Sequence, residues 1–163
     1  MICKKLASFA AHQIADATVN LLDLNDFEMP IYSIDREQEN GVHQLALDFK
    51  AHLKAADGII ISFAEHNGAY SAAFKNVMDW ISRAGKDTWE SKPMFLMATS
   101  PGGRGGSTVL DIAVNKFKFM NQNTIVNFSL PSFGANFTEG EGITNDEQLS
   151  KFKEQLAAFV AAL

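Results

Sequence analysis

Two short stretches of the chain concentrate the side chains best suited to ligand chemistry. Ala64-Glu65-His66-Asn67-Gly68-Ala69-Tyr70 gathers a carboxylate, an imidazole, a carboxamide and a phenol around one glycine. Thr99-Ser100-Pro101-Gly102-Gly103-Arg104-Gly105-Gly106 combines glycines with a hydroxyl and a guanidinium. Glycine has no Cβ, so a glycine-rich loop lets backbone N–H groups close on a flat ligand. A pair of such loops suits a planar heterocycle with carbonyl acceptors. A bare strand-to-helix turn explains the glycines of the second stretch equally well, and on glycine count alone both readings stay open.

Other chemistries find less support. A P-loop needs Lys and Ser or Thr directly after its last glycine, and a dinucleotide fingerprint needs G-x-G-x-x-G in a first βα unit. Gly103-Arg104-Gly105-Gly106-Ser107-Thr108 meets neither pattern. There is no G-x-S-x-G elbow for a nucleophilic serine. His12, His43, His52 and His66 are scattered without metal-ligand spacing, so no metal site is expected, and His12 and His52 fall at positions that read as helix surface. Only His66 has neighbours that favour a ligand role.

Composition narrows the setting. The 163 residues are 47% hydrophobic and 20% charged, which fits one domain over residues 1–163. With 14 basic against 19 acidic residues and a formal charge of −5, the cations form no cluster, so no nucleic-acid partner is expected. Apolar runs such as Gly58 to Phe63 fall far short of the ~20 residues of a membrane-spanning helix. Cys3 is the only cysteine, which excludes an internal disulfide and points to a reducing, cytoplasmic setting. The apolar stretch after Lys4 and Lys5 is soon broken by His12 and Gln13, which argues against a secretory leader.

The two loops must be placed by the elements around them. Apolar residues at Ile2, Leu6, Phe9, Ala10 and Ile14 mark a helix face. Val19 to Leu24 reads as a strand, and Leu45, Phe49, Leu53 and Ala56 mark a second helix. Gly58-Ile59-Ile60-Ile61-Ser62-Phe63 runs apolar without alternation, the pattern of a strand covered on both faces, and is the candidate for the sheet centre. Phe74, Val77, Met78 and Ile81 follow, with Ser71 as cap. Pro93 to Ala98 is another buried strand. Leu110, Ala113, Val114 and Phe117 mark a helix, Thr124 to Phe128 a strand, and Thr144 with Glu147 a capping box before the last helix. Alternating helices and strands predict a three-layer α/β/α fold with a parallel sheet. Ligands of such sheets bind beyond the carboxyl ends of the strands, where both candidate loops fall.

At these residues the chain resembles a known family. Glu65-His66-Asn67-Gly68-Ala69-Tyr70 with Phe74-Lys75-Asn76-Val77-Met78-Asp79-Trp80 is similar to the P-E-Y-N-G-S-x … L-K-N-A-x-D-W segment of NADPH-dependent FMN reductases. Ser100 to Gly106 resembles their S-x-G-G-R-G-G loop, and Asp23-Leu24 through Pro30-Ile31-Tyr32 their D-L … P-L-Y-D loop. The resemblance implies a flavodoxin-like fold and FMN held by Glu65, His66, Asn67 and Gly68 at the ring edge. It further implies donors from the loop Ser100, Pro101, Gly102 and Gly103 near the pyrimidine end, although Pro101 itself has no N–H. Ala64 and His66 replace the family's Pro and Tyr. Arg104 could meet a nicotinamide-nucleotide phosphate or remain a solvated loop arginine. Lys75, Asn76, Asp79 and Trp80 are expected to brace a helix or a subunit interface, and Met29 to Tyr32 to wall the site or pack the sheet edge.

The implied activity is hydride transfer from NADPH or NADH to flavin and onward to a flavin, quinone or other small acceptor. Flavin carries that chemistry, so no catalytic side chain is expected. The family also implies a homodimer or homotetramer. A flavodoxin-type electron carrier, or a non-catalytic protein of the same fold that binds FMN poorly, are the alternatives. The family's phosphate loop, G-S-x-R-x-x-S-x-N, follows a first, central strand. Met1-Ile2-Cys3-Lys4-Lys5-Leu6 aligns with the end of that loop, so the expectation is a chain lacking that strand and loop, with weak FMN binding as it stands.

Overall fold

The computed structural model describes residues 1–163. Three strands form its parallel sheet: β1 (Ile59–Phe63), β4 (Met94–Thr99) and β5 (Ile125–Leu130), in the order β1-β4-β5. Register runs from Ile59 opposite Met94 to Phe63 opposite Ala98, and from Met94 opposite Ile125 to Thr99 opposite Leu130. Every residue of β4 is buried. Its side chains divide between two cores, as the period of two requires. Met94, Leu96 and Ala98 pack with α3 (Gln44–Ala55), α4 (Ala72–Ile81) and α5 (Ser107–Met120). Phe95 and Met97 pack with α1 (Ile2–His12), the short α6 (Phe133–Asn136) and α7 (Asp146–Val160). The result is the expected three-layer α/β/α arrangement. None of its helices is long and apolar enough to cross a membrane.

The centre of the sheet is β4 rather than Gly58–Phe63. β1 pairs on one side only, and its run lacks alternation because helices cover both of its faces. The Ile59 N–H donates to Pro93 O at 3.0 Å, so the backbone groups of Ile60 and Ser62 turn towards the unpaired edge. The expected strand at Val19–Leu24 does not form. A strand needs a ladder partner, and none pairs there. Leu22 and Leu24 instead pack on the α3–α5 core, Asn20 contacts His52 Nδ1 at 3.0 Å, and a 3-10 turn follows over Leu24–Phe27.

Two other local readings are corrected. The last helix is capped by Asn145, whose side chain accepts from Gln148 N–H, so the cap lies one residue beyond Thr144. A helix absent from the sequence reading, α2 (Ile34–Asn40), starts at Ser33, whose Oγ accepts from Arg36 N–H, and stops at Gly41. Ser33, the first-turn acids Asp35 and Glu37, and Gly41 were its available signals.

Candidate functional site

The first loop is a miniature hairpin. β2 (Glu65–His66) and β3 (Ala69–Tyr70) pair antiparallel, Glu65 opposite Tyr70 and His66 opposite Ala69. Asn67 and Gly68 make the turn with φ of 52° and 73°, the backbone that an Asn-Gly pair adopts at little strain. That dipeptide was a readable hairpin signal. The base of the hairpin is anchored by Tyr70, whose ring lies 5.6 Å from Phe63 and 5.1 Å from Phe74 between centroids. The Tyr70 hydroxyl is buried without a partner, and burial pushes its pKa up to about 12. Ser71 Oγ then accepts from Phe74 N–H and starts α4, as the sequence predicts.

The second loop leaves β4 and folds onto the end of β5. The Gly102 carbonyl accepts from Gly105 N–H at 3.2 Å, Ser132 N–H at 2.9 Å and Ser100 Oγ–H at 3.1 Å. The Ser100 carbonyl accepts from Phe133 N–H at 3.0 Å. These bonds consume carbonyls and leave donors free. The N–H groups of Gly102, Gly103 and Arg104 make no hydrogen bond within the chain, nor do those of Asn67 and Gly68. Gly102 and Gly103 are exposed, and a Cβ on Gly103 would meet nothing within 4 Å. An open glycine face with unused donors, on the loop that leaves the strand beside β1, offers what a flat, carbonyl-bearing ring would need.

The predicted residues differ in what they offer. Asn67, Gly68, Gly102 and Gly103 present free N–H groups, with His66 exposed next to them. Glu65 and Ser100 spend their side chains on the protein. Glu65 Oε2 accepts from Val109 N–H in the first turn of α5 at 3.1 Å, and Ser100 Oγ is bonded to Gly102. Arg104 lines a groove of about 470 Å³ along the outer edge of β5, together with Gly103, Ser107, Asp111, Ser129 and Lys151. Pro101 is exposed.

The bracing role expected for the α4 residues is visible in their bonds. Asn76 Nδ2 donates to Met29 O at 2.9 Å and Pro30 O at 3.2 Å, while its Oδ1 accepts from Tyr32 N–H at 2.9 Å. Trp80 Nε1–H donates to the same Pro30 carbonyl at 2.8 Å, and Lys75 pairs with Asp79 at 2.7 Å. Met29 is buried in the core and Ile31 is 77% exposed, so this loop both packs inward and presents an apolar side chain outward. Glu37 locks its far side: Arg83 and the Tyr32 hydroxyl hold the Glu37 carboxyl below its usual range. Asn76→Ala removes three bonds to one loop. It is expected to lower stability by about 2 kcal/mol, since partly buried groups lose their partners. Urea melts test this, and a loss below roughly 0.5 kcal/mol would show the loop held by packing alone.

Known proteins resemble this chain in sequence and fold. Residues 2–138 match the family model described as NADPH-dependent FMN reductase. The chain is 33% identical over 91 residues to an NADPH azoreductase of Bacillus sp. (strain OY1-2), covering 56% of this chain and 48% of that one. It is 30% identical over 80 residues to the quinone reductase of Escherichia coli (strain K12), covering 49% and 43%. With a 2-hydroxy-1,4-benzoquinone reductase of Burkholderia sp it shares 33% over 101 residues, covering 61% and 51%. The chain thus spans about half the length of the curated relatives it matches. Among solved structures, the flavoenzyme NAD(P)H:(acceptor) oxidoreductase FerB of Paracoccus denitrificans superposes with a TM-score of 0.70. That match covers 99% of this chain and 85% of FerB at 22% identity, and establishes a flavodoxin-like fold. On the match over residues 2–138, the chain belongs to the NADPH-dependent FMN reductase family.

Proposed function

We propose that the chain forms the FMN-binding part of an NAD(P)H-dependent oxidoreductase that reduces a quinone, an azo compound, a free flavin or another small acceptor. The observation that carries this reading is the pair of loops at the ends of β1 and β4, each with unpaired N–H donors, and the second with an open glycine face at Gly103. Bound FMN would supply the two-electron chemistry, taking hydride from NADPH or NADH and passing electrons to the acceptor.

The chain's own task is to bind and orient. Asn67 and Gly68 on one side, and Gly102 and Gly103 on the other, would direct N–H groups at ring acceptors. His66 lies exposed where it could stack on the ring or donate to it. Pro101, without an N–H, would shape the loop rather than donate. The reading agrees with the activities named for the azoreductase and quinone reductases the chain resembles. A dimer or tetramer is supported by Ile31, exposed on a loop held by five hydrogen bonds to Asn76, Trp80 and Glu37. A cytoplasmic setting is supported by the single thiol of Cys3.

The test is to titrate the protein with FMN and follow nicotinamide absorbance with quinone, azo and flavin acceptors. Saturable flavin quenching and acceptor-dependent NAD(P)H oxidation are expected. Saturation with FMN and no oxidation with any acceptor would reduce the protein to a flavin carrier. No saturable binding would remove the reading altogether.

A further inference from the structure

The helix that carries the glycine loop lacks its own cap. α5 begins after Gly106 with no side-chain cap and no acid in its first turn. By contrast α2, α3, α4 and α7 are capped by Ser33, His43, Ser71 and Asn145 from their own N-termini. At α5 the acceptor comes from Glu65, 44 residues earlier in sequence, through Val109 N–H. A carboxylate is the favoured acceptor at that end of a helix, where unpaired N–H groups and the helix dipole coincide. The bond has a second consequence. It is the one hydrogen bond that joins the β2–β3 hairpin to α5 or to the Gly102–Gly106 turn. The turn itself is tied to α5 by Ser107 N–H donating to Arg104 O at 3.0 Å.

We propose that Glu65 is a positioning residue, whose carboxylate, by capping α5 from across the site, fixes the distance between the two walls that receive the ring. This rests on the flavin-binding reading above. Tyr70 anchors the base of the hairpin among Phe63 and Phe74, but its tip, with Asn67 exposed and Gly68 half-buried, has no other hydrogen bond to α5 or the turn. A ring held from both sides needs both walls in place at once. If the walls move independently, binding must also order them, and affinity falls. The role differs from a ring contact, because Glu65 Oε2 accepts from Val109 N–H and so acts on the ring through the walls.

Three variants separate this from general destabilisation. Glu65→Ala removes the acceptor, Glu65→Gln keeps an oxygen that accepts from Val109 N–H, and Asn145→Ala removes the cap of α7, an ordinary cap loss at another helix. Affinities are read by fluorescence titration with FMN and with lumiflavin, which has the ring but no phosphate. The order of the Asn67, Gly68 and Val109 amides is read by NMR relaxation in the flavin-free protein. Glu65→Ala is expected to weaken both flavins about tenfold and to loosen the hairpin-tip amides, with Glu65→Gln within about threefold of the parent. Asn145→Ala is expected to change neither. Equal flavin affinity in Glu65→Ala and the parent, or an equal loss in Asn145→Ala, overturns the proposal. If the parent protein binds neither flavin, the functional reading fails by itself. The coupling is then decided by the amides: unchanged order of Asn67 and Gly68 in Glu65→Ala overturns it, and increased mobility supports it.

Discussion

Gly105→Ala is expected to destabilise the protein by about 3 kcal/mol and to lower its thermal midpoint by roughly 6–12 °C. Two effects add. Gly105 has φ of 59°, a left-handed backbone that costs alanine about 1–2 kcal/mol. A Cβ there would also lie 2.4 Å from Ser129 Oγ, 2.9 Å from Pro131 N and 3.0 Å from Leu130 C. Two of those atoms are backbone, so the loop rather than a side chain must give way. Ser129 Oγ–H donates to the Gly105 carbonyl at 3.0 Å and Gly105 N–H donates to Gly102 O, so the shift would reach the open donors of Gly102 and Gly103. Gly103→Ala is the contrasting variant. Its Cβ meets nothing and its φ is not positive, so stability should change by less than about 0.5 kcal/mol. Flavin affinity should nevertheless fall, because the methyl would stand on the face proposed for the ring. Calorimetry and flavin titration on the pair give the answer. A Gly105→Ala melt within about 2 °C of the parent would remove the packing argument. Unchanged flavin binding in Gly103→Ala would move the ring off this face.

Much of this was legible in the sequence because it is local. The run Pro93 to Ala98 announced a strand covered on both faces, and β4 is that strand. Gly58 to Phe63 carried the same signal, yet it lies at the edge. An apolar run reports what covers its faces and is silent on which strand lies beside it. Val19 to Leu24 failed for the same reason, since strand pairing is a non-local event and a β-branched start with apolar neighbours does not supply a partner. Helix faces, by contrast, follow from spacing within one element, and those of α3, α4, α5 and α7 stood where the periodicity put them. At the candidate site, the Asn67-Gly68 turn and the open Gly103 follow from residue type, because glycine and turn chemistry act through the backbone. The direction of a single long side chain was not legible. Arg104 lines the groove beside β5, and Glu65 reaches a helix 44 residues on. The family resemblance was correct on fold and membership, and it gave no information on that Glu65 contact. The capping residue Asn145, one position after the expected Thr144, shows the usual limit on helix boundaries.

Lys50→Met is the second large effect expected, a loss of about 3 kcal/mol with the fold retained. Lys50 sits in α3 at 3% exposure, and its ammonium donates to Asp87 O at 2.5 Å and Thr88 O at 2.9 Å and pairs with Glu90 Oε1 at 2.5 Å. These contacts close a turn in which Glu90 and Ser91 both take left-handed backbone, with φ of 56° and 50°. Neither residue adopts that conformation without support, so the turn depends on an external hold. What the turn delivers is Trp89, 1% exposed and stacked on Phe117 at 4.7 Å. Methionine keeps the stem's volume and removes all three interactions, so the loss measures the polar contacts rather than a cavity. The loss should fall mainly on the carbonyls. Thr88 is buried and its oxygen cannot reach water without opening the turn, whereas the Glu90 side chain is 22% exposed and can be rehydrated. Glu90→Gln keeps an oxygen on the ammonium but leaves it buried without its counter-charge, so it should lose about 1–2 kcal/mol, less than Lys50→Met because both carbonyl bonds remain. Denaturant melts followed by tryptophan fluorescence give both values. Equal losses in the two variants would assign the stability to the ion pair, and a neutral Lys50→Met would mean that packing of Trp89 holds the turn unaided.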